Sequence, residues 1–135
     1  MTAFEQKEIE SAQQAWGDGL IAIGQVYLDK GDYTQRANEH RAALYLYHRG
    51  QVIFKPTLAA DKQFRDTTEG ALSYFVGGNP EFPEDHGFAL RPWKAVRFEN
   101  GGIVCQTDSA FAMGNYFFTD LDDQVTKVEY SFAYV

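Results

Sequence analysis

The feature that most constrains this chain is a change of hydrophobic period along its length. Ile9, Ala12, Trp16, Leu20, Ile23 and Tyr27 recur every three or four positions, the spacing that makes one apolar stripe on a helix. Near the other end Val128, Tyr130, Phe132 and Tyr134 alternate with Lys127, Glu129 and Ser131. That period of two belongs to a strand with one covered face. Helical periodicity in the first half and strand periodicity in the second predict an α+β class, with N-terminal helices packed on a curved antiparallel sheet. The 135 residues fit one domain, taken as 1–135.

Punctuation refines this outline. The first helix reads from about residue 4 to 29 and ends at Gly31. Gly17, Gly19 and Gly24 inside it each cost up to ~1 kcal/mol against Ala, a cost acceptable where the backbone lies close to another element, here expected to be the sheet. Asp32 and Gln35 have capping-box spacing and open a second helix, whose face is Tyr33, Ala37, His40, Leu44 and Tyr47. Gln51–Lys55 reads as the first strand, halted by Pro56. Residues 57–65 are ambiguous, with a short strand around Phe64 as one reading. Asp66 with Glu69 repeats the capping-box spacing before a short helix that Gly77 and Gly78 close. The stretch 79–92 holds three of the four prolines and reads as a long loop, the kind that often rims a site. A strand from Trp93 to Glu99 meets Asn100-Gly101, the strongest short hairpin signal. A long strand from Ile103 to Thr119 follows, bent by bulges at Thr107-Asp108-Ser109 and at Gly114, then a turn at 120–124 and the alternating strand.

Composition excludes several classes. Twelve Lys and Arg are scattered among nineteen acids, for a net charge of −7, so no basic cluster exists to hold nucleic-acid phosphates. No apolar run approaches the ~20 residues that span a bilayer. The start, from Met1 through Glu8, is polar where a signal peptide needs an apolar core. Cys105 is the only cysteine, which rules out an intramolecular disulfide and fits a reducing cytoplasm. One cysteine with the dispersed His40, His48 and His86 cannot build a zinc centre. Asp120, Asp122 and Asp123 lack the glycine and distal glutamate of a calcium loop. No metal or other cofactor is expected. Eleven Phe and eight Tyr exceed what a core of this size needs, and point to an aromatic-lined cavity or an adhesive interface.

Five phrases carry a resemblance: Val52 to Thr57 (VIFKPT), Gln63 to Arg65 (QFR), Ser73 to Gly78 (SYFVGG), Met113 to Thr119 (MGNYFFT) and Lys127 to Phe132 (KVEYSF). Together with the element order they resemble an uncharacterised bacterial subgroup of the nuclear transport factor two-like superfamily, which includes ketosteroid isomerases and SnoaL-type polyketide cyclases. The resemblance implies a cone-shaped α+β roll whose apolar interior alters the pKa of polar groups inside it. Members of that superfamily end on a further long strand, and this sequence stops at Val135 before one, so either the reading frame is truncated or a partner covers the edge left open.

An isomerase-type site needs a carboxylate base and an oxyanion donor. Asp108 and Tyr116 are the candidates, on strands expected to bend. Tyr74, Trp93, Asn115, Glu129, Lys55, Arg65 and His40 are candidate ligand-binding residues. Each has an ordinary alternative. Asp108 also reads as a bulge carboxylate in water, and Tyr116 as a core tyrosine with its hydroxyl at the rim, the readings the pattern favours. Lys55 and Arg65 read as surface cations or partners of Glu129 or Glu99, and His40 as a hydrogen-bonded core histidine. Two functions follow. One is a small-hydrophobic-ligand pocket protein, as a cofactor-independent lyase, isomerase or cyclase. The other is a non-catalytic oligomerisation or adaptor module. A homodimer through the sheet is expected under both.

Overall fold

The computed structural model describes residues 3–135; Met1 and Thr2, part of the polar start read above, lie outside the described residues. Helices α1 (Gln6–Leu28), α2 (Tyr33–Leu44) and α3 (Thr68–Val76) precede strands β1 (Trp93–Cys105), β2 (Ala110–Asp120) and β3 (Val125–Tyr134). The class is therefore α+β with an antiparallel sheet ordered β1-β2-β3. Among the described residues no helix is long and apolar enough to cross a membrane. The chain divides into two compact units, one made of the described residues up to Asp18 with Lys94–Val135, the other of Gly19–Trp93. α1 contributes to both.

In the sheet unit the alternation does what the sequence predicts. Tyr116 stands opposite Val128 and Ala112 opposite Phe132, and these even-numbered positions form the covered face. Trp16 of α1 lies on it, stacked 5.4 Å from Tyr116 and edge-on to Phe98 and Phe118 at 5.9 and 6.0 Å. Phe118 is fully buried, and removing such a ring from water contributes about 1.5–3 kcal/mol.

The hairpin is not at Asn100-Gly101. β1 runs through both residues and reverses only at Gln106–Ser109, where the Gln106 N–H donates to the Ser109 carbonyl at 2.8 Å. A two-residue I′ turn needs positive φ at both positions, and neither Asn100 nor Gly101 has it. Asn100 is instead held on the strand by Gln13 of α1, whose Nε2 donates to Oδ1 at 2.7 Å. Gly114 serves close approach rather than a bend: a Cβ there would lie 2.2 Å from the Glu99 carbonyl oxygen. Asp108 consequently sits in an exposed turn, not mid-strand.

In the Gly19–Trp93 unit, α2 packs on α3. The Asp32 carboxylate caps α2 by accepting from the Gln35 N–H at 3.1 Å. α3 is capped by Thr67 rather than Asp66, the hydroxyl accepting from the Gly70 N–H at 3.1 Å. Gly19 faces His40 of α2, not the sheet; a Cβ there would lie 2.1 Å from the imidazole Nδ1. The expected strand at Gln51–Lys55 does not form, nor does one around Phe64. The two segments share a backbone bond, Arg65 N–H to Phe54 carbonyl at 2.8 Å, but Pro56 has no N–H with which to extend a ladder.

Candidate active site

α3 places Tyr74 and Phe75 in the interior of their unit, Tyr74 with 8% of its surface exposed. The Tyr74 ring stacks on Phe88 at 5.5 Å and meets Phe54 edge-on at 6.5 Å. Phe54 in turn stacks on Phe75 at 6.4 Å and tilts against Tyr45 at 5.0 Å. Trp93 closes the row, 5.4 Å from Phe88, with its indole N–H donating to the Phe88 carbonyl at 2.8 Å. The result is an aromatic wall with one polar end. There the Leu58 N–H donates to the Tyr74 hydroxyl oxygen at 3.2 Å. A phenol that accepts one hydrogen bond can donate another through its own O–H.

Leu58 lies in the turn closed by the Ala59 N–H on the Pro56 carbonyl, just after Lys55, whose Nζ donates to the carbonyls of Pro56 and Thr57 at 3.2 and 3.0 Å. Thr57, half-buried, brings a hydroxyl to the same turn. A depression of about 250 Å³ adjoins Phe54 and is lined also by Val52, Ile53, Phe64, Arg65 and Asp66. That is small for a drug-sized ligand.

Arg65 is 1% exposed, and a buried guanidinium must be paired. Its Nη1 and Nη2 donate to the two Asp85 carboxylate oxygens at 2.7 and 2.9 Å, the bidentate geometry that suits this pair. Nη1 also donates to the Gly70 carbonyl and Nε to the Lys62 carbonyl, both at 2.8 Å, and the Ser73 hydroxyl donates to Asp85 at 2.6 Å. The cation lies 4.4 Å over the Phe82 ring. Its partners are thus Asp85 and Glu84, not the Glu129 or Glu99 considered from sequence. The Tyr47 hydroxyl donates to the Arg65 carbonyl at 2.7 Å, and burial pushes its pKa up to about 12. His40 is buried edge-on to Phe75 at 5.7 Å. Burial first, and the Arg36 charge second, lower its pKa from 6.5 to about 4, so the imidazole is neutral at pH 7.

The candidates from sequence therefore divide. Tyr74, Trp93, His40, Lys55 and Arg65 fall in the Gly19–Trp93 unit, where Tyr74 and Trp93 share the aromatic wall. Asp108, Tyr116, Asn115 and Glu129 fall in the sheet unit. Tyr116 is buried under Trp16, while Asn115 and Glu129 pair across β2 and β3 on the opposite face.

The sheet unit also holds a polar cluster that sequence reasoning passed over. Gln13 and Asn100 exchange two hydrogen bonds, at 2.7 and 3.0 Å, and the Tyr130 hydroxyl donates to Asn100 Oδ1. Burial pushes the nearby Tyr134 phenol up to about 12. The available signal was Gln13 itself, a polar residue on the stripe of Ile9 and Trp16. The Leu58 N–H was missed because a backbone donor has no side-chain signature. Among the described residues no three His, Cys, Asp or Glu gather so as to hold a metal ion.

The family model for metal-independent carbonic anhydrase matches residues 7–135. The chain belongs to this family. It is 40% identical over 136 residues to a metal-independent carbonic anhydrase from Nostoc sp., covering 98% of this chain and 66% of the relative, so it spans about two thirds of that protein's length. A crystal structure of the iota-carbonic anhydrase from a cyanobacterium, complexed with bicarbonate, superposes with a TM-score of 0.93 at 40% identity, over 97% of this chain and 82% of that one. Membership corrects the resemblance to nuclear transport factor two-like proteins, because helices followed by antiparallel strands recur across many α+β families, whereas this match runs along nearly the whole chain. The pocket-protein reading, with its lyase, isomerase or cyclase chemistry on a hydrophobic substrate, and the adaptor alternative are overturned with it.

Proposed function

We propose that this chain, as one domain over residues 1–135, interconverts CO₂ and bicarbonate without a metal, and that the site is the polar end of the aromatic wall at Tyr74. The reaction rests on family membership and on the likeness to a structure complexed with bicarbonate. The single observation that supports the place is the meeting of the Tyr74 hydroxyl and the Leu58 N–H beside Phe54 and Phe88.

Hydration needs two different surroundings. CO₂ is linear and has no net dipole, so aromatic faces suit it. Bicarbonate is an anion and needs hydrogen-bond donors. A water oxygen forms a bond to the carbon, one C–O π pair moves onto a CO₂ oxygen, and a proton leaves to solvent buffer. In this reading the Tyr74 O–H donates to the oxygen that gains charge, and the Leu58 N–H fixes the phenol. Thr57 offers a further hydroxyl from the same turn, and Lys55, bound to the carbonyls of Pro56 and Thr57, holds that turn. Arg65 and neutral His40 support the wall from behind through Asp85 and Phe75.

Tyr74→Phe should lower kcat/KM for CO₂ hydration about 10²-fold, the scale of losing one oxyanion donor. Stopped-flow with a pH indicator on chelator-treated protein measures this, and the unmodified protein should keep its activity after that treatment. Activity within twofold in the Phe variant would remove Tyr74 from the site. Loss of activity on chelation would remove the metal-free chemistry. Exposed Phe111 and Met113 on the outer face of β2 support a homodimer through the sheet, and the lone Cys105 supports a cytoplasmic location.

A further inference from the structure

Resting on that reading of the site, we infer that Glu84 is a positioning residue: its carboxylate fixes the turn from which the Leu58 N–H reaches Tyr74. Leu58 cannot hold its own place, since its side chain is exposed and the residue as a whole is 60% accessible. The order must come from its neighbours. Three consecutive backbone donors just beyond it converge on Glu84. Oε1 accepts from the N–H groups of Ala60 and Asp61 at 2.7 and 3.1 Å, and Oε2 from those of Lys62 and Asp61 at 2.8 and 3.1 Å. Successive N–H groups turned toward one point make an anion-binding concavity, and here the anion is supplied from within the chain. The bonds to Ala60, then Lys62 and Asp61, hold the Glu84 carboxyl down to about 2, so it stays ionised under ordinary conditions.

The neighbouring acid completes the fastening from below. Asp85 grips Arg65, and Arg65 Nε binds the Lys62 carbonyl. The Lys62 ammonium returns to the Glu81 carbonyl at 2.6 Å. The turn is thus pinned by its N–H groups to Glu84 and by a carbonyl to Arg65. The proline-rich loop acts as a splint for the turn, although it contributes no group to the wall's polar end before Phe88.

Amide hydrogen exchange and kinetics on Glu84→Ala and Glu84→Gln separate this role from simple stabilisation. Exchange at residues 58–62 should rise about tenfold or more in the Ala variant and less in the Gln variant, which keeps one acceptor. kcat should fall about tenfold with KM little changed. The same substitution added to Tyr74→Phe should cost nothing further, because Glu84 acts through the phenol. An equal loss in both backgrounds, or unchanged exchange at 58–62 in both Glu84 variants, overturns the proposal. Unchanged activity in Tyr74→Phe alone sinks the site, and with it the catalytic consequence. Unchanged exchange sinks the splint while leaving the site standing.

Discussion

The two units treat buried polar groups in opposite ways. In the sheet unit Gln13, Asn100 and Tyr130 satisfy one another, with the Tyr130 ring edge-on to Phe98, a set made from regular elements. In the Gly19–Trp93 unit polar groups from a helix, a turn and a loop meet: Tyr74 from α3, Leu58 N–H from the turn, Glu84 and Asp85 from the proline-rich stretch. A closed set fixes one arrangement of helix on sheet. An arrangement drawn from irregular segments can present donors to a small anion while a helix keeps the geometry firm. On the proposed function, the first cluster serves stability and the second chemistry.

The largest test of that division is Arg65→Leu. Asp85 would remain buried with only Ser73 to satisfy it, and removing one partner of a buried ion pair costs roughly 3–5 kcal/mol. Urea denaturation should show that loss, and CO₂ hydration should fall with it, because the turn loses its anchor at the Lys62 carbonyl. A loss below about 1 kcal/mol, or full activity in the folded variant, would break the link between the ion pair and the site.

His40 supplies a test through pH. Its folded pKa, about 4, lies below the ordinary 6.5, so below pH 6.5 the unfolded chain binds more protons than the folded one. Stability should therefore be complete above 6.5, fall as the pH drops from there to about 4, and stop falling on this account below it. The interval corresponds to on the order of 3 kcal/mol. Carboxylates titrate in the same range, so the measurement is the difference between the parent and His40→Gln in urea unfolding at pH 7, 5.5 and 4. Parallel curves would show that the imidazole is not the buried neutral group of this unit.

Most of the fold was legible because it rests on periodicity. The α1 stripe, the Asp32 cap and the β3 alternation are all local patterns. What failed were features set by distant partners. Asn100-Gly101 has turn chemistry, yet Gln13, eighty-seven positions away, holds it in a strand. Gln51–Lys55 has strand composition, yet no neighbour completes a ladder. The site followed the same rule. Tyr74 and Trp93 were visible as aromatics in suggestive phrases, while the donor at Leu58 and the acids that place it depend on contacts across sixteen to twenty-four positions. Asp108 drew attention as an acid within a strand, and the observed turn removes that reason.

The smallest effect belongs to the closed cluster, and it sharpens the comparison most cleanly. Gln13→Leu leaves the Asn100 Nδ2 without its acceptor beside the buried Gln13 position, while Asn100 Oδ1 still accepts from Tyr130. An unsatisfied buried amide costs about 1–3 kcal/mol. Adding Asn100→Leu removes the stranded group, so the double variant should recover part of that loss, a coupling that a thermodynamic cycle reads directly. Throughout, kcat/KM for CO₂ hydration should stay at the parent value, because none of these groups belongs to the aromatic wall at Tyr74. A fall in activity that tracks the amide pair rather than overall stability would move the chemistry into the sheet unit, and would make Tyr130, not Tyr74, the phenol to pursue.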